Sequence, residues 1–171
     1  MQRVLVGQRQ LLNLLAIVLT LLFSWPNGPA SAAPQQSDAF QPLLGWWVGQ
    51  GRLGFKNGKT EDVKCRATYR RTETGDGIRQ ALRCASASGA IEVKSTVLRQ
   101  GDELSGTWSE TKYNFEGEVT GKIIPRGFRV VVSGAGVKAN MTVLVREKRH
   151  VVEIQFVESA LIGLTMIFAR S

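Results

Sequence analysis

From Trp47 to the C-terminus, apolar and polar residues alternate with a period of two. Trp47, Gly49, Gly51, Leu53 and Phe55 share one side of a first run, and NGK (57–59) turns the chain. Val63, Cys65, Ala67 and Tyr69 then alternate with Lys64, Arg66, Thr68 and Arg70; after TETGDG, Ile78, Gln80, Leu82 and Cys84 alternate with Arg79, Ala81 and Arg83. AIEVKSTVL, LSGTWSE, FEGEVTGKI, FRVVVSG, ANMTVLVRE, HVVEIQFVE and LTMIFAR continue the beat. Side chains of an extended chain point alternately to opposite faces, so this pattern predicts about ten short strands. Consecutive hairpins of similar length leave two exposed edges, which closure removes. The expected fold is therefore all-β: a single antiparallel up-and-down β-barrel of about ten strands, spanning residues 43–171.

The N-terminus reads differently. Arg3 and Arg9 precede the apolar run LLNLLAIVLTLLF (11–23), and Ala30-Ser31-Ala32 supplies the small-x-small exit that signal peptidase accepts. Residues 1–32 are expected to be a signal peptide, because the run is shorter than the ~20 apolar residues a membrane-crossing helix needs. Residues 33–42 then form a flexible N-terminal arm, and the location is periplasmic or secreted. The strands themselves are not expected to span a membrane. Arg66, Arg83, Lys94 and Glu118 fall mid-strand on the outer side, where a lipid-facing charge is costly. The 22 basic residues, less Arg3 and Arg9, stand against 14 acidic ones, so the remainder carries +6. That excess favours anionic neighbours without specifying one.

The segment PLLGWWVGQGRL, with Gly45 and Trp47, resembles the opening of calycin-type barrels, in which a Gly-x-Trp begins the first strand and the Trp plugs one end. The meander is similar to that of fatty-acid-binding proteins. Gly45, Trp47, Gly49 and Gly51 are similar to the Gly-x-Trp-x-Gly-x-Gly string of the nitrobindin-like haem barrels. That last resemblance implies a haem iron held by a late histidine, for which His150 is the only candidate. The residues by themselves predict no cofactor and no metal.

Two cysteines in an exported chain form an even pair in an oxidising compartment. If the strands around TETGDG pair so that Cys65 faces Cys84, Ala67 faces Leu82 and Tyr69 faces Gln80, and the inward sets match. The expectation is a disulfide worth about 3 kcal/mol rather than a redox pair, since C-x-x-C is absent. The same register sets Arg66 opposite Arg83 and Arg70 opposite Arg79. The flanking hairpins are expected to place Lys94 beside Arg83 and Arg52 beside Lys64. Arg52, Lys64, Arg66, Arg83 and Lys94 then form a cationic row, a candidate anion-binding face, with Glu61, Asp62 and Glu92 as diagonal compensation.

Catalytic constellations are missing. The single histidine excludes a His-rich metal site, and no G-x-S-x-G occurs. GQGRLG (49–54) matches G-x-G-x-x-G but lies inside a strand, where no helix N-terminus can receive phosphate. Trp47, Tyr69, Trp108, Glu110, Phe128 and Phe156 face inward and are the candidate ligand-cavity residues. An inward Glu110 would be neutralised, ligand-facing, or at the rim where SETKYN turns. The expected function is an exported, soluble, non-catalytic barrel that binds a small, mostly apolar molecule. The alternative is an envelope interaction module whose basic face binds an anionic surface or partner. No specific nucleic acid is expected.

Overall fold

The computed structural model describes residues 38–171. The expected signal peptide (1–32) and the first part of the expected arm (33–37) lie outside these residues. A 3-10 turn at Gln41–Leu43 leads into β1 (Gly45–Phe55), β2 (Thr60–Arg71), β3 (Gly77–Ser86), β4 (Gly89–Gln100) and β5 (Glu103–Glu110). Then come β6 (Phe115–Ile124), β7 (Gly127–Gly134), β8 (Val137–Arg146), β9 (Arg149–Phe156) and β10 (Leu161–Arg170). Each strand pairs antiparallel with its neighbours in sequence, and β10 returns to β1, closing the barrel. The ten-stranded up-and-down architecture is the one the alternation predicts.

Inward parity follows the pattern along β2, where Glu61, Val63, Cys65, Ala67 and Tyr69 are buried and their neighbours exposed, apart from the half-buried Thr68. Cys65 pairs with Cys84 and bonds to it, with Cα atoms 4.1 Å apart. Arg66 faces Arg83 and Arg70 faces Arg79, also as the alternation requires.

Glycines permit the closure. A Cβ on Gly51 would lie 1.9 Å from the Thr165 carbonyl oxygen, and one on Gly117 would lie 1.9 Å from that of Ser133. Neighbouring strands can approach this closely only where no side chain intervenes.

Three expectations need correction. The end of the arm is packed: Phe40 is 1 % exposed and Leu43 is fully buried, because the 3-10 turn folds them into the barrel mouth. The cationic row is interrupted. Arg52 faces Asp62 rather than Lys64, and Arg83 faces Glu92 while Lys94 faces Ala81. The β3–β4 turn has only two residues between Ser86 and Gly89, so the register shifts by two and parity survives. Glu61, expected on the outer face, points inward and is buried.

Candidate functional site

The barrel is lidded at the end where β1 begins. The Trp47 indole donates to the Leu43 carbonyl at 2.6 Å, and Phe40 packs edge-on against Phe128. Arg170 at the end of β10 donates to the carbonyls of Leu44 and Pro42 at 2.8 and 2.9 Å, with its guanidinium over the Trp47 ring. Arg71 forms an ion pair with Asp38. These contacts satisfy backbone groups that a short 3-10 turn leaves unpaired, so the lid is part of the folded core.

Under the lid runs a chain of polar side chains. Ser95 donates to Gln80 Oε1 at 3.0 Å, Gln80 Nε2 donates to the Tyr69 hydroxyl at 3.2 Å, and that hydroxyl lies 3.3 Å from His150 Nε2. Because Gln80 donates to Tyr69, the Tyr69 proton is available to His150 Nε2, which assigns the imidazole proton to Nδ1. That nitrogen is buried without a partner. Burial lowers the His150 pKa to about 4, helped by the charge of Arg170. Burial likewise raises the Tyr69 phenol, against the opposing bond from Gln80. His150 is 1 % exposed, and its ring is enclosed: Phe168 stacks on it at 4.6 Å and Trp47 meets it edge-on at 4.6 Å.

These residues do not fit the haem that the nitrobindin-like resemblance implies. A haem needs a flat slot beside an imidazole nitrogen, and Trp47, Tyr69 and Phe168 occupy the surroundings of this one. His150 as placed is a neutral core residue.

Away from the lid the interior loosens. Leu82, Val93, Val132, Ile154 and Leu164 carry inward parity and pack against the core, yet they and Phe156 are only partly buried. At the rim of that end Ile91 is 43 %, Tyr113 56 % and Phe115 41 % exposed, with the two rings stacked. Phe115 therefore has the predicted parity but sits at the mouth.

Two buried carboxylates hold this rim. Glu61 accepts from Lys59 Nζ at 2.8 Å, from the Ser88 amide at 2.9 Å and from the Ser86 hydroxyl at 2.9 Å. The Lys59 contact leads the effects that bring its pKa down to about 2. Burial pushes the Glu110 carboxyl up, but the amides of Tyr113, Lys112 and Glu92 outweigh it and hold the carboxyl below its ordinary value. Of the fates open to an inward Glu110, the structure selects the rim: its oxygens cap the 111–114 turn.

The predicted cavity residues thus separate into groups. Trp47, Tyr69 and Phe128 build the lidded end, and Trp108 donates to the Ser133 carbonyl at 3.0 Å. Glu110 belongs to the rim, and Phe156 lines the open half. On the outer wall Arg52 lies 3.8 Å from Asp62, Arg83 lies 2.9 Å from Glu92, and Lys94 lies 3.9 Å from Glu92. Lys64 and Arg66 have no ion pair among the described residues. Sequence reasoning missed the lid and the Arg170 clamp. The available signal was the apolar Phe40 and Leu43 flanking Pro42 in an otherwise polar stretch.

Fold and site together define a closed ten-stranded up-and-down β-barrel, which fits a calycin-like fold, with a lid at one end. Similar solved structures include the crystal structure of Rv2717c from M. tuberculosis, with 12 % identity and a TM-score of 0.63, covering 81 % of this chain and 98 % of that one. Another is the S-type phycobiliprotein lyase CpeS from Guillardia theta, with 11 % identity and a TM-score of 0.53, covering 77 % of this chain and 90 % of that one. At these identities the likeness is one of fold. No family model and no curated protein matches the chain.

Proposed function

We propose that the chain is an exported, non-catalytic binding protein that takes a small, mostly apolar molecule into the barrel half opposite the lid. One observation carries this reading: Leu82, Val93, Ile154 and Leu164 have inward parity and edge the core, yet they are only partly buried. Apolar surface facing an internal space gains free energy when an apolar ligand replaces water there, at about 25 cal/mol per Å². The exposed rings of Tyr113 and Phe115 would guide such a molecule inward. A periplasmic or secreted location rests on the N-terminal pattern, and the Cys65–Cys84 bond accords with it. CpeS carries the name of a phycobiliprotein lyase, which makes bulky conjugated molecules reasonable members of a ligand screen.

Uptake of an uncharged fluorophore, N-phenyl-1-naphthylamine, provides the test. The protein should enhance its fluorescence saturably, and Val93→Trp, which fills the open half, should weaken binding by about tenfold or more. Native mass spectrometry of the purified protein should show a co-purified small molecule. Absence of uptake together with an empty mass spectrum would overturn the reading.

A further inference from the structure

The outer wall carries a feature that the interior site does not use. Two like-charged pairs lie directly opposite each other across β2 and β3, Arg66 with Arg83 and Arg70 with Arg79. Between them the same two strands place only Thr68 and Ala81, also opposed. The result is a trough with a low floor and a pair of guanidinium groups at each end. The pairs are four residues apart along the strand, or about 13 Å.

Two separate outer hollows lie along these strands. One, of about 510 Å³, is lined by Trp46, Thr68, Arg70, Arg79, Lys94 and Thr107 among others, with no carboxylate. The other, of about 1070 Å³, includes Lys64, Arg66, Arg83 and Arg149 with one carboxylate, Glu92, already bound to Arg83. Opposed like charges cost a sheet stability. Arg79 is ion-paired with Glu73 at 2.9 Å, whereas Arg66 and Arg70 have no ion pair among the described residues, and Arg70 lies over the Trp46 ring, 6.0 Å from its centroid.

We propose that this trough binds an acidic polysaccharide, a linear chain of sugars bearing carboxylate or sulfate groups. The charge is complementary, and the spaced arginine pairs suit anions repeated along a chain. The hydroxyls of Thr68, Thr96, Thr107 and Ser109 line the trough beside the guanidinium groups, as sugar hydroxyls require. Trp46 at the trough edge has the Arg70 guanidinium over its ring and is still 62 % exposed, which leaves ring surface for a sugar to lie against. A flat anionic bilayer reaches neither the Thr68–Ala81 floor nor the hydroxyls around it. Single-stranded nucleic acid sites stack successive bases on several aromatic rings, and Trp46 is the one outward-facing ring lining the two hollows among the described residues.

Polygalacturonate is the probe, with anionic phospholipid vesicles and single-stranded oligothymidylate as competitors for the same surface. The double variant Arg66→Glu, Arg70→Glu should weaken polygalacturonate binding about tenfold or more at low salt. The double variant Lys122→Glu, Arg129→Glu changes net charge equally at another like-charged pair, on β6 and β7. It should change binding by about twofold or less, as a remote, screened charge does. All four side chains project from the wall, so folding should survive; the single variant Arg70→Gln serves if the double does not fold. Equal losses in both doubles, no binding of polygalacturonate, or tighter binding of vesicles or oligothymidylate through the same arginines would each overturn the proposal.

Discussion

The buried imidazole under the lid gives a prediction with a sign and a size. The pKa of His150 is lowered from 6.5 to about 4, first by burial and then by Arg170. The folded protein therefore refuses a proton that the unfolded chain accepts. The contribution is complete above pH 6.5 and is lost as the pH falls toward the folded value near 4. Between pH 7 and pH 5 the linkage relation gives a loss of about 2 kcal/mol. Glu61, Asp76 and Glu110 are also held below their ordinary values, but those ordinary carboxylate values already lie below this window, so their contributions persist through it and fade only in more acid solution.

Urea denaturation at the two pH values measures the difference, expected as a midpoint fall of about 1 M at pH 5. In His150→Phe the fall should nearly vanish. The chain has a single histidine, so a proton NMR titration of tag-free protein reads its pKa without assignment. An imidazole that titrates near 6.5, or a stability unchanged between pH 7 and pH 5, would refute the buried, Tyr69-bonded placement.

Other perturbations test other parts of the structure. Reducing the Cys65–Cys84 bond removes a cross-link between residues 19 apart. It should cost about 3 kcal/mol by loop entropy and lower the melting temperature by about 10 °C, read by circular dichroism with and without dithiothreitol. Gly51→Ala, whose Cβ would fall 1.9 Å from the Thr165 oxygen, should destabilise by about 3 kcal/mol in the same melts. Trp47→Phe leaves the Leu43 carbonyl without its 2.6 Å donor. It should cost about 1–3 kcal/mol and increase amide hydrogen exchange in residues 40–44 before the rest of the barrel.

The alternation of side chains was legible because a strand has only two faces. Once Cys65 faces Cys84, every pair of β2 and β3 follows, including both arginine pairs. The turns were less legible. A turn centred one residue earlier keeps every side chain on its face but moves each to a partner two residues away, which is how Arg83 came to meet Glu92 and Arg52 to meet Asp62. The lid could not be read from periodicity, because Phe40 and Leu43 lie in a short 3-10 turn whose contacts with Phe128 and Arg170 are distant in sequence. His150 stands second in β9, and only the lid above it makes that position interior. Glu110 had the parity of a cavity residue, but its fate depended on where the following turn began.

The most direct test of the interior site is a set of nuclear Overhauser contacts between bound N-phenyl-1-naphthylamine and methyl groups of the protein. Contacts are expected to Leu82, Val93, Ile154 and Leu164, with none to Val130 or Val145 at the lidded end. Contacts confined to outward methyls such as those of Val48 and Ile167, or none at all, would contradict the account.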